Sequence, residues 1–172
     1  MARALLAAAL VAVLAPAARA QTAPTATADP ASPALRYVRA LAGRLPAGDI
    51  VKEHGDPRLL GERELAATRR ASFPKKASLA AALVEAASLA VAEKFDPQMP
   101  LALVLALRFD DPKAAREARD ELDRSSIPEY TDVFVAGPLV VVVTTTAPIT
   151  GDPQARLSRE ARAVLHSIME KR

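Results

Sequence analysis

The spacing of apolar and polar positions changes several times along the chain, and each change marks an element. Pro33 to Leu45 (PALRYVRALAGRL) sets Leu35, Val38, Ala42 and Leu45 on one helical stripe, with Arg36, Arg39 and Arg44 off it. Ser32 stands where an N-cap hydroxyl belongs and Pro33 falls in the first turn, so a short helix is predicted. Ile50 and Val51 read as a brief edge strand, stopped by the turn signal Gly55, Asp56, Pro57. A second helical stretch is centred on Glu62 to Arg70. From Pro74 to Phe95 good helix formers run without a Gly. Leu79, Leu83, Ala86 and Ala90 form one stripe there, Val84, Ala87 and Val91 another, and Glu85 is the only charge between Ala77 and Ala92. This pattern predicts a long helix, apolar nearly all round, buried between layers or against a partner. Its sixteen weakly apolar residues fall short of the roughly 18 to 20 that a membrane span needs.

The second half changes period. In Leu101 to Phe109 (LALVLALRF) the residues Leu101, Leu103, Leu105, Leu107 and Phe109 share one face, and Ala102, Val104, Ala106 and Arg108 share the other. Such a strand is covered on both sides and central, and its small-residue face invites close approach by a second layer or another subunit. Asp110, Asp111 and Pro112 open a helix to about Arg124, with Ala115, Ala118 and Leu122 as a narrow seam. Lys113 with Glu117, Arg116 with Asp120 and Arg119 with Asp123 stand at i,i+4 spacing on it. Thr131 to Ala136 and Leu139 to Thr146 are β-branched runs around Gly137 and Pro138, a hairpin signature. A last helix follows Gly151, Asp152 and Pro153; Leu157, Ala161, Val164, Leu165 and Ile168 face the core, and Arg159, Arg162 and His166 face away.

Strand, helix, strand, hairpin, strand, helix is the order of a split βαβ unit, with residues 139–146 inserted between 101–109 and 131–136. The expected fold is therefore α+β, a ferredoxin-like two-layer sandwich with an extra long apolar helix N-terminal to the sheet. Ile50 to Glu53 is the segment available for a fourth strand.

Residues 1–20 carry Arg3, an apolar run from Ala4 to Ala15 and the triplet Ala18, Arg19, Ala20. These are the three regions of a secretory signal cleaved after Ala20, and they predict a periplasmic or secreted protein without a transmembrane helix in the mature chain. Gln21 to Ser32 (QTAPTATADPAS) has no large apolar residue and reads as a disordered linker, leaving 33–172 as a single α+β domain. Losing Arg3 and Arg19 takes the 23 basic residues to 21 against 20 acidic ones, so the chain's basicity is no nucleic-acid footprint. The chain has no Cys, which excludes a disulfide framework, a thiolate metal site and a cysteine nucleophile.

Candidate chemistry is sparse. His54 and His166 are the only imidazoles and neither has a partner at metal spacing, so no metal and no cofactor are expected. His54 lies near Glu53 and Asp56, as a solvated turn histidine would. Asp110 and Asp111 are explained by helix capping. No phosphate-binding loop and no Gly-x-Ser-x-Gly elbow occurs, and Ser88, Ser125, Ser126 and Ser158 have no base nearby in sequence. Arg69, Arg70, Lys75 and Lys76 form the densest cationic cluster, a possible anion-binding site such as a lipid surface would use, with Glu62 and Glu64 close enough to balance it. The reading is an exported, non-catalytic domain that binds a protein or apolar ligand through the small-residue sheet face or the apolar helix, with a homodimer as one form. Peripheral binding to anionic lipid and a small hydrolase with a spatially assembled site are the alternatives.

Overall fold

The computed structural model describes residues 32–45, 53–54, 56–92, 101–126, 130–145 and 152–170. The leader, the linker before Ser32, and Ile50 and Val51 lie outside them. The first helix, α1 (Pro33–Ala42), starts as its sequence requires: the Ser32 hydroxyl accepts from the Leu35 amide at 3.1 Å, and Pro33 takes a position whose amide would have no helical partner. Two short strands follow, β1 (Glu53–His54) and β2 (Arg58–Leu59). Next come α2 (Glu62–Ser72), α3 (Ala77–Ala82), β3 (Leu83–Ala92), β4 (Leu101–Phe109), α4 (Pro112–Ser125), β5 (Thr131–Ala136), β6 (Leu139–Thr145) and α5 (Asp152–Glu170).

The fold is mixed α+β around an open antiparallel sheet in the order β1-β3-β4-β6-β5, with β2 also pairing β3. Strand β6 inserts between β4 and β5, as the split βαβ pattern predicts. Gly137 turns the β5–β6 hairpin at φ 55°, a left-handed conformation that a side chain would strain. The register passes from Glu53↔Ala92 and His54↔Val91 to Arg58↔Ser88 and Leu59↔Ala87, so β1 and β2 amount to one interrupted edge strand.

The long apolar helix expected over Pro74–Phe95 does not form. Helix stops after Ala82, and Leu83–Ala92 runs as β3 along the whole of β4, with Ala87 opposite Ala106 and Leu89 opposite Val104. A strand covered on both faces is apolar along nearly its whole length, and at this length it shares that property with a helix buried all round. Pairing with β4 satisfies its backbone and overrides the helix propensity of its alanines.

Two apolar clusters flank the sheet, and alternation along the strands assigns residues to each. Leu103, Leu105, Leu107 and Phe109 of β4 and Val140 and Val142 of β6 pack with Phe73, Leu79, Ala115, Ala118 and Leu122, under α2, α3 and α4. Ala102, Val104 and Ala106 with Val141 and Val143 pack against Leu35, Val38, Leu41, Leu157, Ala161 and Leu165, under α1 and α5. Helices thus cover both faces, giving three layers where a two-layer ferredoxin-like sandwich was expected. The small-residue face of β4 is the one on which α1 lies, so it is internal to the chain and offers nothing to a partner. Alanines there let α1 come close enough for Tyr37 to reach across and donate its hydroxyl to the Ala161 carbonyl of α5 at 2.9 Å.

At the sheet's α1 face, β3 contributes the one charge of its run. The bulge between Leu83 and Glu85 directs Glu85 toward the start of α1, where its carboxylate accepts from the Ser32 hydroxyl and from the Ala34 amide at 2.8 Å. Arg108 of β4 donates to the same carboxylate at 3.2 Å. The helix N-terminus is electropositive, so one carboxylate serves two cationic partners.

Candidate functional site

Among the described residues strand β5 ends the sheet, paired on one side by β6 alone. The Thr145 amide donates to the Tyr130 carbonyl at 2.9 Å, so 130 and 145 form a hydrogen-bonded pair, and with the register Asp132↔Val143 and Phe134↔Val141 continue that alternation. Asp132 and Phe134 therefore spend their amides and carbonyls on β6, whereas Thr131, Val133 and Val135 turn theirs outward along the open edge.

This edge is the floor of a groove of about 330 Å³. One wall is α4, supplying Arg116, Arg119 and Asp120 at the i, i+3, i+4 positions of its outer face; the other is α5, supplying Arg162, Leu165 and His166 at the same spacing; Val133, Phe134 and Val135 lie between. Both walls are held in place by the buried residues of their helices. Burial of Ala115, Ala118 and Leu122 holds α4 on the sheet, and burial of Leu157, Ala161 and Leu165 holds α5. The α4 wall is also fixed at its start, where the Asp111 carboxylate accepts from the Lys113 and Ala114 amides at 2.6 and 2.9 Å. Those bonds, from Ala114 first and then Lys113, keep the Asp111 carboxyl below the ordinary aspartate range.

The groove is cationic. Arg119 pairs with Asp120 at 3.1 Å and with Asp123 at 4.0 Å, and so absorbs the one carboxylate in the lining. Arg116 and Arg162 form no ion pair among the described residues. The Arg162 guanidinium instead stacks 4.7 Å from the centre of the Phe134 ring, which positions its charge over the floor of the groove. Of the three i,i+4 pairs expected on α4, only that of Arg119 with Asp123 forms among the described residues; Arg124 with Glu121 at 3.0 Å is an addition.

The cationic cluster singled out in the sequence is divided. Arg69 turns inward and donates from both Nε, at 2.9 Å, and Nη2 to the Leu83 carbonyl, tying the end of α2 to the first residue of β3. Arg70, Lys75 and Lys76 stay exposed at the end of α2 and in the turn before α3. Glu64 does not balance them: it forms a two-pronged pair with Arg58 at 2.8 and 2.9 Å and accepts from the Gly61 amide. The Arg58 guanidinium holds its carboxyl below the usual range. Asp111 is the helix cap that its position implies. The Ser125 and Ser126 hydroxyls donate to the Glu121 and Leu122 carbonyls, Ser88 is buried in β3, and the Ser158 hydroxyl is buried without a hydrogen-bond partner among the described residues. His54 belongs to β1, and its side chain is outside the described residues. Among the described residues no three His, Asp or Glu side chains converge as a metal site, and no helix is long and apolar enough to cross a membrane.

Arg116, Arg119, Arg162 and His166 read in the sequence as solvated faces of two helices. Their common signal is the repeated i, i+3, i+4 spacing on the two helices that flank β5. Comparison with known protein families, with curated proteins and with solved structures finds no match to this chain.

Proposed function

We propose that this protein is an exported, non-catalytic module that binds a protein partner at the open edge of β5. The observation that carries this reading is the groove itself: unpaired edge backbone between two walls that together hold three arginines. Burial supports the shift away from an apolar docking face, because Val84 is the one large apolar side chain exposed among the described residues. A lining with one imidazole, one carboxylate and no hydroxyl or thiol suits recognition better than nucleophilic catalysis. Edge-to-edge homodimerisation is disfavoured, since it would bring two sets of arginines together. Export rests on the leader of residues 1–20. Exposure of Arg70, Lys75 and Lys76 supports peripheral contact with anionic lipid as a second reading.

Photocrosslinking in the native envelope separates the two. With p-benzoylphenylalanine replacing His166, a defined protein adduct is expected, reduced at least about tenfold by Arg116→Glu with Arg162→Glu, as the loss of about 1.4 kcal/mol would produce. The same probe replacing Lys76 is expected to give none. Lipid adducts at position 76 with no protein adduct at 166 would transfer the binding surface to the α2–α3 turn.

A further inference from the structure

We infer that the occupant of the β5 groove is an acidic segment of a partner protein, held in extended conformation and added to the sheet as a further strand. This inference rests on the binding role proposed for the groove and goes beyond it by naming what is bound and how.

Three features carry it. The first is backbone geometry. Val133 and Val135 present amides and carbonyls that are unpaired among the described residues and lie two residues apart, the repeat at which an extended chain presents its own. No register shift interrupts the β5–β6 ladder, and Thr131–Ala136 contains no Pro, so the edge stays straight enough to template a neighbour.

The second is the placement of charge. Side chains of an added strand alternate between the faces of the sheet, as those of β5 do. Positions beside Val133 and Val135 would point to the α4 wall, toward Arg116 and Arg119; a position beside Phe134 would point to the α5 wall, toward Arg162 and His166. Adjacent acidic residues on the incoming chain therefore meet cations on opposite walls. Asp132, two residues before Phe134 on the same α5 face, repels acid beside it and so favours the acidic pair at the 133–135 end of the strand.

The third is how the edge is guarded. Sheet edges are commonly protected by charge, bulges or Pro within the strand itself. Here the guard consists of arginines on flanking helices, which reject a second copy of this chain and admit an acidic one. Phe134, the one Phe, Tyr or Trp ring in the lining, lies under Arg162 and is not open to a stacking base.

The test is selection of a displayed random decapeptide library on the immobilised chain, with folding of every variant verified by circular dichroism. Enriched sequences are expected to carry adjacent Asp or Glu residues and to exclude Pro from the bound core. Arg116→Glu with Arg162→Glu is expected to weaken a synthetic winner at least about tenfold and, on reselection, to favour Lys and Arg. N-methylation of the peptide amide that faces β5 leaves its charge unchanged, and is expected to weaken it to a similar extent.

Winners indifferent to N-methylation at every position would overturn strand addition and leave a site for anions in general. So would anionic vesicles or inorganic polyphosphate that displace the winner and bind with equal affinity. Winners without acidic enrichment, or no winners, would overturn the acidic class. A persisting crosslink from position 166 would then show the groove still in use by another ligand, whereas its loss would end the binding role as well.

Discussion

Tyr37→Ala is expected to destabilise the protein by about 3–5 kcal/mol, the usual range for truncating a buried aromatic, and to lower its melting temperature by roughly 10 °C. Tyr37 is fully buried, and its hydroxyl links α1 to the Ala161 carbonyl of α5, so truncation opens a cavity between the two helices that cover one face of the sheet. Tyr37→Phe keeps the ring. It also leaves the Ala161 carbonyl inside α5 with its own helical partner, so this change costs about 1 kcal/mol. The gap between the two variants, read by urea unfolding, separates packing from hydrogen bonding. If Tyr37→Ala unfolds at the wild-type urea concentration, α1 is not docked on the sheet and the third layer is wrong.

Glu85→Ala is expected to cost about 2–3 kcal/mol, below the range for breaking a fully buried ion pair because Arg108 is about one-third exposed. The loss leaves the Ala34 amide without its acceptor and strips Arg108 of its carboxylate. Glu85→Gln retains an acceptor for the amide but not the charge, and should recover part of the loss. A double-mutant cycle with Arg108→Ala should return a coupling energy of about 0.5–2 kcal/mol. Additive effects would mean that the two side chains do not share the site that β3 and β4 build for them. The same cycle reports on β3 itself, since the bulge after Leu83 brings Glu85 opposite Arg108 only when this segment is a strand.

Where a single physical rule dominates, the sequence is sufficient. Leucine–alanine alternation makes Leu101–Phe109 a strand, a Gly-Pro pair turns the hairpin, and Ser32 and Asp111 cap α1 and α4 because their side chains satisfy amides that no other group reaches. The insertion of β6 between β4 and β5 follows from element order. Leu83–Ala92 is not legible in this way: alanine favours helix, every position but Glu85 and Ser88 is apolar, and only pairing with β4, a contact remote in sequence, decides the outcome. The two expected binding surfaces are absent for separate reasons. Once β3 is in the sheet the long helix disappears, and with α1 laid on the small-residue face, that face is internal.

The groove was hidden for a different reason. Its arginines lie on the polar faces of α4 and α5, where single-helix periodicity shows only solvated charge. Their convergence depends on β5 being the last strand. The cluster of Arg69, Arg70, Lys75 and Lys76 stood out through density in sequence, yet Arg69 is spent on the Leu83 carbonyl.

Residue-resolved amide exchange of the chain, with and without an acidic winner from the peptide selection, tests the edge-docking claim most directly. Free, the amides of Val133 and Val135 exchange fast while those of Asp132 and Phe134 are slowed by β6; on binding, Val133 and Val135 are expected to slow by at least about tenfold, with Asp132 and Phe134 little changed. Protection that appears at Arg70, Lys75 and Lys76, with Val133 and Val135 unaltered, would contradict the account.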